Sequence, residues 1–176
     1  MRRIAAVLRV LLCAVLVAPA GAAALAKPRP APELNAPELF TGAAVDLQQY
    51  RGHVVLIDFW ASWCGSCWRA LPLLAELQSR YRDGGFVVLA VTVDEDPAVA
   101  REFATRKQLP FTILDDHSGR IADRYDVHAM PHSFLVDGDG RILAEFVGFR
   151  DDSARELRRA VAAAMEASAD TAPPRP

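Results

Sequence analysis

The sequence predicts an α/β fold: a mixed central β-sheet flanked by helices. Three observations carry this expectation. Two uninterrupted apolar runs, "HVVLIDFW" (53–60) and "FVVLAVTV" (86–93), have the composition of strands buried on both faces, as in a parallel sheet. Between them Leu71, Leu74, Leu77 and Tyr81 recur at helical spacing, which supplies the crossover that two parallel strands need. Farther on, "HSFLVD" (132–137), "GDG" (138–140) and "RILAEFVGF" (141–149) read as an antiparallel hairpin, so the sheet is mixed.

The elements follow in chain order. Residues 1–26 carry Arg2, Arg3 and Arg9, no acid, an apolar run from Val10 to Ala18 and a closing Ala24-Leu25-Ala26, the layout of a cleavable export signal. The alternative is an uncleaved anchor over residues 4–26 that tethers the protein to a membrane; Arg9, Pro19 and Gly21 weigh against it. Cys13 lies within this segment, and Leu12 before it is too large for a lipoprotein cleavage site. Residues 27–37, "KPRPAPELNAP", are Pro-rich and without periodicity, the mark of a linker. One domain is expected over 38–168. Its first strand, 53–60, leads into a helix from Cys64 to about Arg82, ended by Asp83-Gly84-Gly85. After the strand 86–93, Asp96 caps and Pro97 opens a helix through about Gln108. "PFTILDD" (110–116) is a short strand, 120–125 a short helix, and the hairpin comes next. Ser153 with Glu156 forms a capping-box pattern for a last helix to about Ala167, and 169–176 is expected to be a disordered tail.

Charge and cysteine usage narrow the function. A net charge of −2 with no basic run excludes a nucleic-acid binder. Without the leader's three arginines, 17 of the 20 bases face all 22 acids, a net charge of −5. Only Cys64 and Cys67 then remain, so there is no disulfide framework and the pair is a site or nothing. They follow a buried strand where the chain turns into a helix, the usual place for a site in an open α/β sheet. Cys64 falls at the helix N-terminus, where free N–H groups and the dipole favour a thiolate, the attacking species in disulfide exchange. Cys67 is one turn deeper, within reach to resolve a mixed disulfide. Asp58, a carboxylate inside an apolar strand, should have a raised pKa and act as proton acceptor for Cys67; the competing reading is a strand-end acid meeting water or a neighbouring base. His128 and His132 form an H-x3-H, but Pro131 lies between them and about 60 residues separate them from the cysteines, so no metal site is expected. "DGDG" (137–140) lacks the remaining ligands of a calcium loop and reads as a turn, and "DED" (94–96) as a helix-start acid cluster.

The stretches "RGHVVLIDFWASWCGSC", "VVLAVTVDED", "LPFTILDD" and "YDVHAMPHSFLVDGDGRILAEFVG", with Pro72 five residues after Cys67, resemble the thioredoxin superfamily. Within it they are similar to the TlpA/ResA-like disulfide reductases exported by bacteria, over about residues 36–167. The resemblance implies a thioredoxin-like fold with the TlpA-type N-terminal extension and inserted helix. It also implies a redox-active Cys64–Cys67 disulfide and a cis-proline, Pro131, facing the cysteines. Trp63, Gly65, Ser66, Met130, Pro131 and His132 then line a substrate groove, and no cofactor is needed. Implied partners are oxidised or mixed-disulfide exported proteins, as in cytochrome c maturation or copper-site assembly, with a membrane thiol transporter as electron donor. The protein is expected to be periplasmic and a monomer.

This chain departs from the family's usual pattern at several positions. It has Ser66 in place of proline between the cysteines, Ala70 where a glutamate is common, Asp58 for asparagine, Trp68 for a basic residue and His132 for threonine. Ser66 adds a backbone N–H and a hydroxyl near the Cys64 sulfur. The rival function is a copper-binding chaperone of the Sco type using Cys64, Cys67 and His132, against which stands the spacing, CxxC rather than CxxxC. A peroxiredoxin-type peroxidase is excluded, because "FWASWC" lacks the required preceding proline.

Overall fold

A computed structural model describes residues 28–171; the expected leader (1–26) and the end of the tail (172–176) lie outside the described residues. The strands are β1 (Arg29–Pro30), β2 (Asn35–Pro37), β3 (Ala44–Asp46), β4 (Val54–Trp60), β5 (Phe86–Thr92), β6 (Thr112–Asp115), β7 (His132–Val136) and β8 (Arg141–Val147). The helices are α1 (Gly65–Tyr81), α2 (Pro97–Lys107), α3 (Arg120–Arg124) and α4 (Asp151–Thr171).

Six strands form one sheet in the order β1-β8-β7-β4-β5-β6, and β2 pairs with β3 apart from it. β4, β5 and β6 run parallel, while β7 is antiparallel to both β4 and β8. Every residue of β4 is buried, as its unbroken apolar run requires of a central strand covered on both faces. Its side chains alternate between two cores. Leu56 and Trp60 pack with Leu71, Leu74 and Leu77 of α1, Phe103 of α2 and Leu157 and Val161 of α4. Ile57 and Phe59 pack with Ile121 of α3, Tyr125 and Phe134 on the other face. Past α1, Gly85 adopts φ 91°, a left-handed conformation that glycine reaches without Cβ strain, and the chain turns into β5.

The stretch read as a linker is corrected over 28–37. Arg29 and Pro30 pair with Ile142 and Arg141 at the sheet edge, Leu34 is fully buried, and Asn35–Pro37 ladders against Ala44–Asp46. Tyr125 Oη ties the same segment down by donating to Pro32 O at 2.8 Å. Its prolines disguise a period-two alternation of Leu34 and Ala36 with polar neighbours. Pro30 is tolerated because an edge strand has backbone positions where no N–H is required. The last helix also differs from expectation. It begins at Asp151, two residues before the expected cap. Ser153, its third residue, reaches back instead: its Oγ accepts from Arg150 N at 2.7 Å and donates to Arg150 O at 2.8 Å. The helix continues to Thr171, so 169–171, expected as tail, are helical.

Candidate active site

The carboxyl end of β4 runs through Ala61–Trp63 into Cys64, the N-cap of α1. Its extended backbone (φ −85°, ψ 98°) lets Sγ accept from Cys67 N at 3.2 Å. Cys64 and Cys67 form a disulfide with a Cα–Cα separation of 5.3 Å. Cys67 is wholly buried, whereas Cys64 keeps a trace of exposure. Of the donors expected from Ser66, the hydroxyl comes to 3.4 Å from Cys64 Sγ, while the backbone donor at that sulfur belongs to Cys67.

Asp94 holds the loop before Cys64. Its buried carboxylate accepts from Ser62 N at 2.9 Å, Ser62 Oγ at 2.6 Å and Thr92 Oγ1 at 2.7 Å. Ser62 O in turn accepts from Trp68 Nε1 at 2.8 Å, and the Trp68 ring lies 5.7 Å from Phe103 with Lys107 Nζ 5.8 Å from its centre. Asp94 is thus not part of the helix-start cluster expected of residues 94–96; that role belongs to Asp96, whose Oδ1 accepts from Ala98 N at 2.8 Å. The signal for Asp94 is the pairing of parallel strands. Trp60 is level with Thr92, so two residues farther Ser62 comes level with Asp94.

Asp58 sits on β4 between Leu56 and Trp60, on the face that packs against Cys67 and α1. Its Oδ1 accepts from Ser133 Oγ at 2.5 Å, and Oδ2 has no partner among the described residues. Complete burial pushes its pKa from the ordinary 3.8 up to about 7, against the Ser133 bond, which pulls it down. A carboxyl of that kind gives and takes a proton near neutral pH.

The Met130–Pro131 peptide is cis and opens β7. Met130 O accepts from Ser66 Oγ at 3.2 Å, which brings the proline loop to the cysteines, and Pro131 O accepts from Gly148 N at 2.8 Å. Trp63 (67% exposed) and Gly65 stand open beside the pair.

His132 does not join the groove, a correction to its place among the substrate-binding residues. It pairs with Phe59 across β4 and β7, stacks at 4.5 Å on Phe134, and its Nε2 lies 2.8 Å from Glu145 Oε1. Ser133, one residue on, faces Asp58, so strand alternation turns His132 to the face away from the sulfurs. The set Cys64, Cys67 and His132 required for a copper chaperone is therefore not assembled. Among the described residues no group of three His, Cys, Asp or Glu side chains is arranged to hold a metal.

The Redoxin family model matches residues 27–163. Thiol-disulfide oxidoreductase ResA of Bacillus thuringiensis subsp. konkukian is 32% identical over 107 residues, 61% of this chain and 62% of the relative. ResA of Geobacillus kaustophilus is 34% identical over 113 residues, 63% of this chain and 65% of the relative. The matched region thus spans less than two thirds of these relatives' length. Among solved structures, a Chlorobium tepidum protein assigned as the thiol:disulfide interchange protein DsbE has a TM-score of 0.74 and 38% identity, covering 80% of this chain and 99% of that one. A secreted Mycobacterium tuberculosis disulfide oxidoreductase homologous to E. coli DsbE has a TM-score of 0.61 and 25% identity, covering 74% and 95%. The family match runs over more than three quarters of the chain, and the solved relatives repeat the sheet and helices just described; this protein belongs to the Redoxin family, as a TlpA/ResA-like member of the thioredoxin superfamily.

Proposed function

We propose that this protein is a thiol-disulfide oxidoreductase that reduces disulfides in exported proteins. The observation that carries the reading is the seat of the cysteine pair: Cys64 caps a helix with its sulfur on a backbone N–H, and Cys67 is sealed beneath it on the face that holds Asp58. The N–H and the helix dipole favour a Cys64 thiolate, which attacks one sulfur of a partner disulfide. The partner's other sulfur leaves as a thiolate. Cys67 passes its proton to Asp58 and attacks Cys64 Sγ, and the second partner sulfur leaves. The partner has gained two electrons and, with two protons, becomes a dithiol; the enzyme ends as the disulfide seen here.

The finer assignments are part of the same proposal. The protein acts in the periplasm as a monomer after export on its leader. Its substrates are cysteine pairs such as those of maturing cytochromes c or copper-site proteins, and a membrane thiol transporter resets it. The secreted mycobacterial relative supports the location. No helix among the described residues is long and apolar enough to cross a membrane.

Trapping tests the reading. Cys67→Ser should accumulate a mixed disulfide through Cys64 with an oxidised protein substrate, Cys64→Ser should form none, and Cys64 should alkylate before Cys67 in the reduced wild type. Faster alkylation of Cys67 at neutral pH, or no trapped adduct while the wild type turns over, refutes the assignment of roles.

A further inference from the structure

Ser66 stands between two acceptors. Its Oγ is 3.4 Å from Cys64 Sγ and donates to Met130 O at 3.2 Å. A hydroxyl has a single proton to give. Met130 O belongs to the cis Met130–Pro131 bond, and Pro131 brings no N–H of its own. The next carbonyl, Pro131 O, is already bound to Gly148 N. Met130 O is thus a backbone acceptor beside the disulfide that is held by a side chain able to rotate away.

The two redox states weight these acceptors differently. In the disulfide, Cys64 Sγ is neutral and a weak acceptor, so the Ser66 proton belongs on the carbonyl. Two-electron reduction, with Cys64 deprotonated, puts a negative charge on that sulfur, and a charged acceptor binds a donor roughly twice as strongly as a neutral one. We propose that Ser66 is a redox-coupled positioning residue: its hydroxyl covers Met130 O in the disulfide form and turns to the Cys64 thiolate in the reduced form, uncovering that carbonyl for a backbone N–H of an extended partner segment. The reduced enzyme then offers its partner one more hydrogen bond than the oxidised enzyme does, which favours capture before exchange and release after it. Coupling is reciprocal: a partner donor on Met130 O holds the Ser66 proton on sulfur and lowers the Cys64 pKa. The inference rests on the reading of Cys64 and Cys67 as a redox pair.

The test compares wild type, Ser66→Ala and Ser66→Thr. Each is titrated against glutathione, its thiolate absorbance is followed with pH, and the Met130 carbonyl 13C shift is read in both redox states. Loss of the hydroxyl should favour the disulfide about tenfold, making the pair about 30 mV more reducing, and should raise the Cys64 pKa. Ser66→Thr should restore both values. The Met130 carbonyl should move on reduction of the wild type and much less in Ser66→Ala. Unchanged potential and pKa in Ser66→Ala, a Met130 shift that follows redox state equally in wild type and Ser66→Ala, or a threonine variant that behaves like alanine each overturn the proposal. Those results leave the oxidoreductase reading standing if the wild type still exchanges with glutathione; a wild type that does not exchange overturns that reading itself.

Discussion

Asp58 shows how much a single buried carboxylate decides. Among the described residues it has one hydrogen bond, from Ser133, and an unpartnered Oδ2 in an apolar core. Its pKa of about 7 in the folded chain, against an ordinary 3.8, means that the folded state holds a proton the unfolded chain has released. The sign follows directly. The fold is most stable below about pH 4 with respect to this group, and stability falls as pH rises toward 7, by roughly 4 kcal/mol in all. Asp58→Asn, neutral at every pH, should therefore stabilise the oxidised protein by a few kcal/mol above pH 7 and by almost nothing near pH 4. Urea unfolding at the two pH values measures it, and an equal effect at both would show that burial does not set this pKa. If Asp58 has the proposed role of taking the Cys67 proton, the same variant should slow resolution of the mixed disulfide above neutral pH; turnover unchanged across pH 6–9 would limit the acid to a structural role. The buried acid costs the fold stability near neutral pH, as expected of an ionisable group in a core.

The loop from β4 into α1 works as a unit. Asp94 gathers the Ser62 amide, the Ser62 hydroxyl and the Thr92 hydroxyl, and the Ser62 carbonyl takes the Trp68 indole. Asp94→Ala strands buried donors that had a charged acceptor, so it should cost about 2–4 kcal/mol and speed amide exchange at Ser62 and along the turn to Cys64. Asp96→Ala removes only an exposed helix cap and should cost about 1 kcal/mol without touching that loop. Equal costs, or exchange at Ser62 unchanged in Asp94→Ala, would count against the clamp. Asp96 was legible in the sequence because a cap is local and Pro97 follows it. Asp94 was not, because its partner Ser62 lies 32 residues away and the two meet only when β4 and β5 pair in register.

Across the whole molecule, the N-terminal strap and the helical layer close the two faces of the sheet. Leu34 is fully buried in the core beneath α3, so Leu34→Ala should cost about 2–5 kcal/mol in thermal or urea unfolding; a linker residue would cost nothing measurable. On the other face, Arg158 binds Glu76 across α4 and α1 with Nη2 2.8 Å from Oε2. Both side chains are nearly half exposed, so water screens the pair and Arg158→Ala should change stability little. Beneath them Val161 is completely buried against the same core as Leu74 and Leu77, and Val161→Ala should cost more than Arg158→Ala. The reverse order would mean that charge, not packing, docks α4.

Sequence alone determined whatever is carried by neighbours along the chain. That includes the buried runs of β4 and β5, the period of α1, the Asp96-Pro97 start of α2, the β7–β8 hairpin, the cysteines at a helix N-terminus and the anomalous acid at 58. Tertiary structure decided what depends on strand parity and on partners distant in the chain. It turned His132 to Glu145 and away from the sulfurs, since a strand's side chains alternate and only its pairing with β4 says which set faces α1. It drew a Pro-rich, linker-like stretch onto the sheet, since an edge strand tolerates proline and a buried leucine gains more than the stretch loses in freedom. And it set Ser66 within reach of a carbonyl 64 residues farther along the chain, because the cis-proline loop and the start of α1 meet at the same end of the sheet.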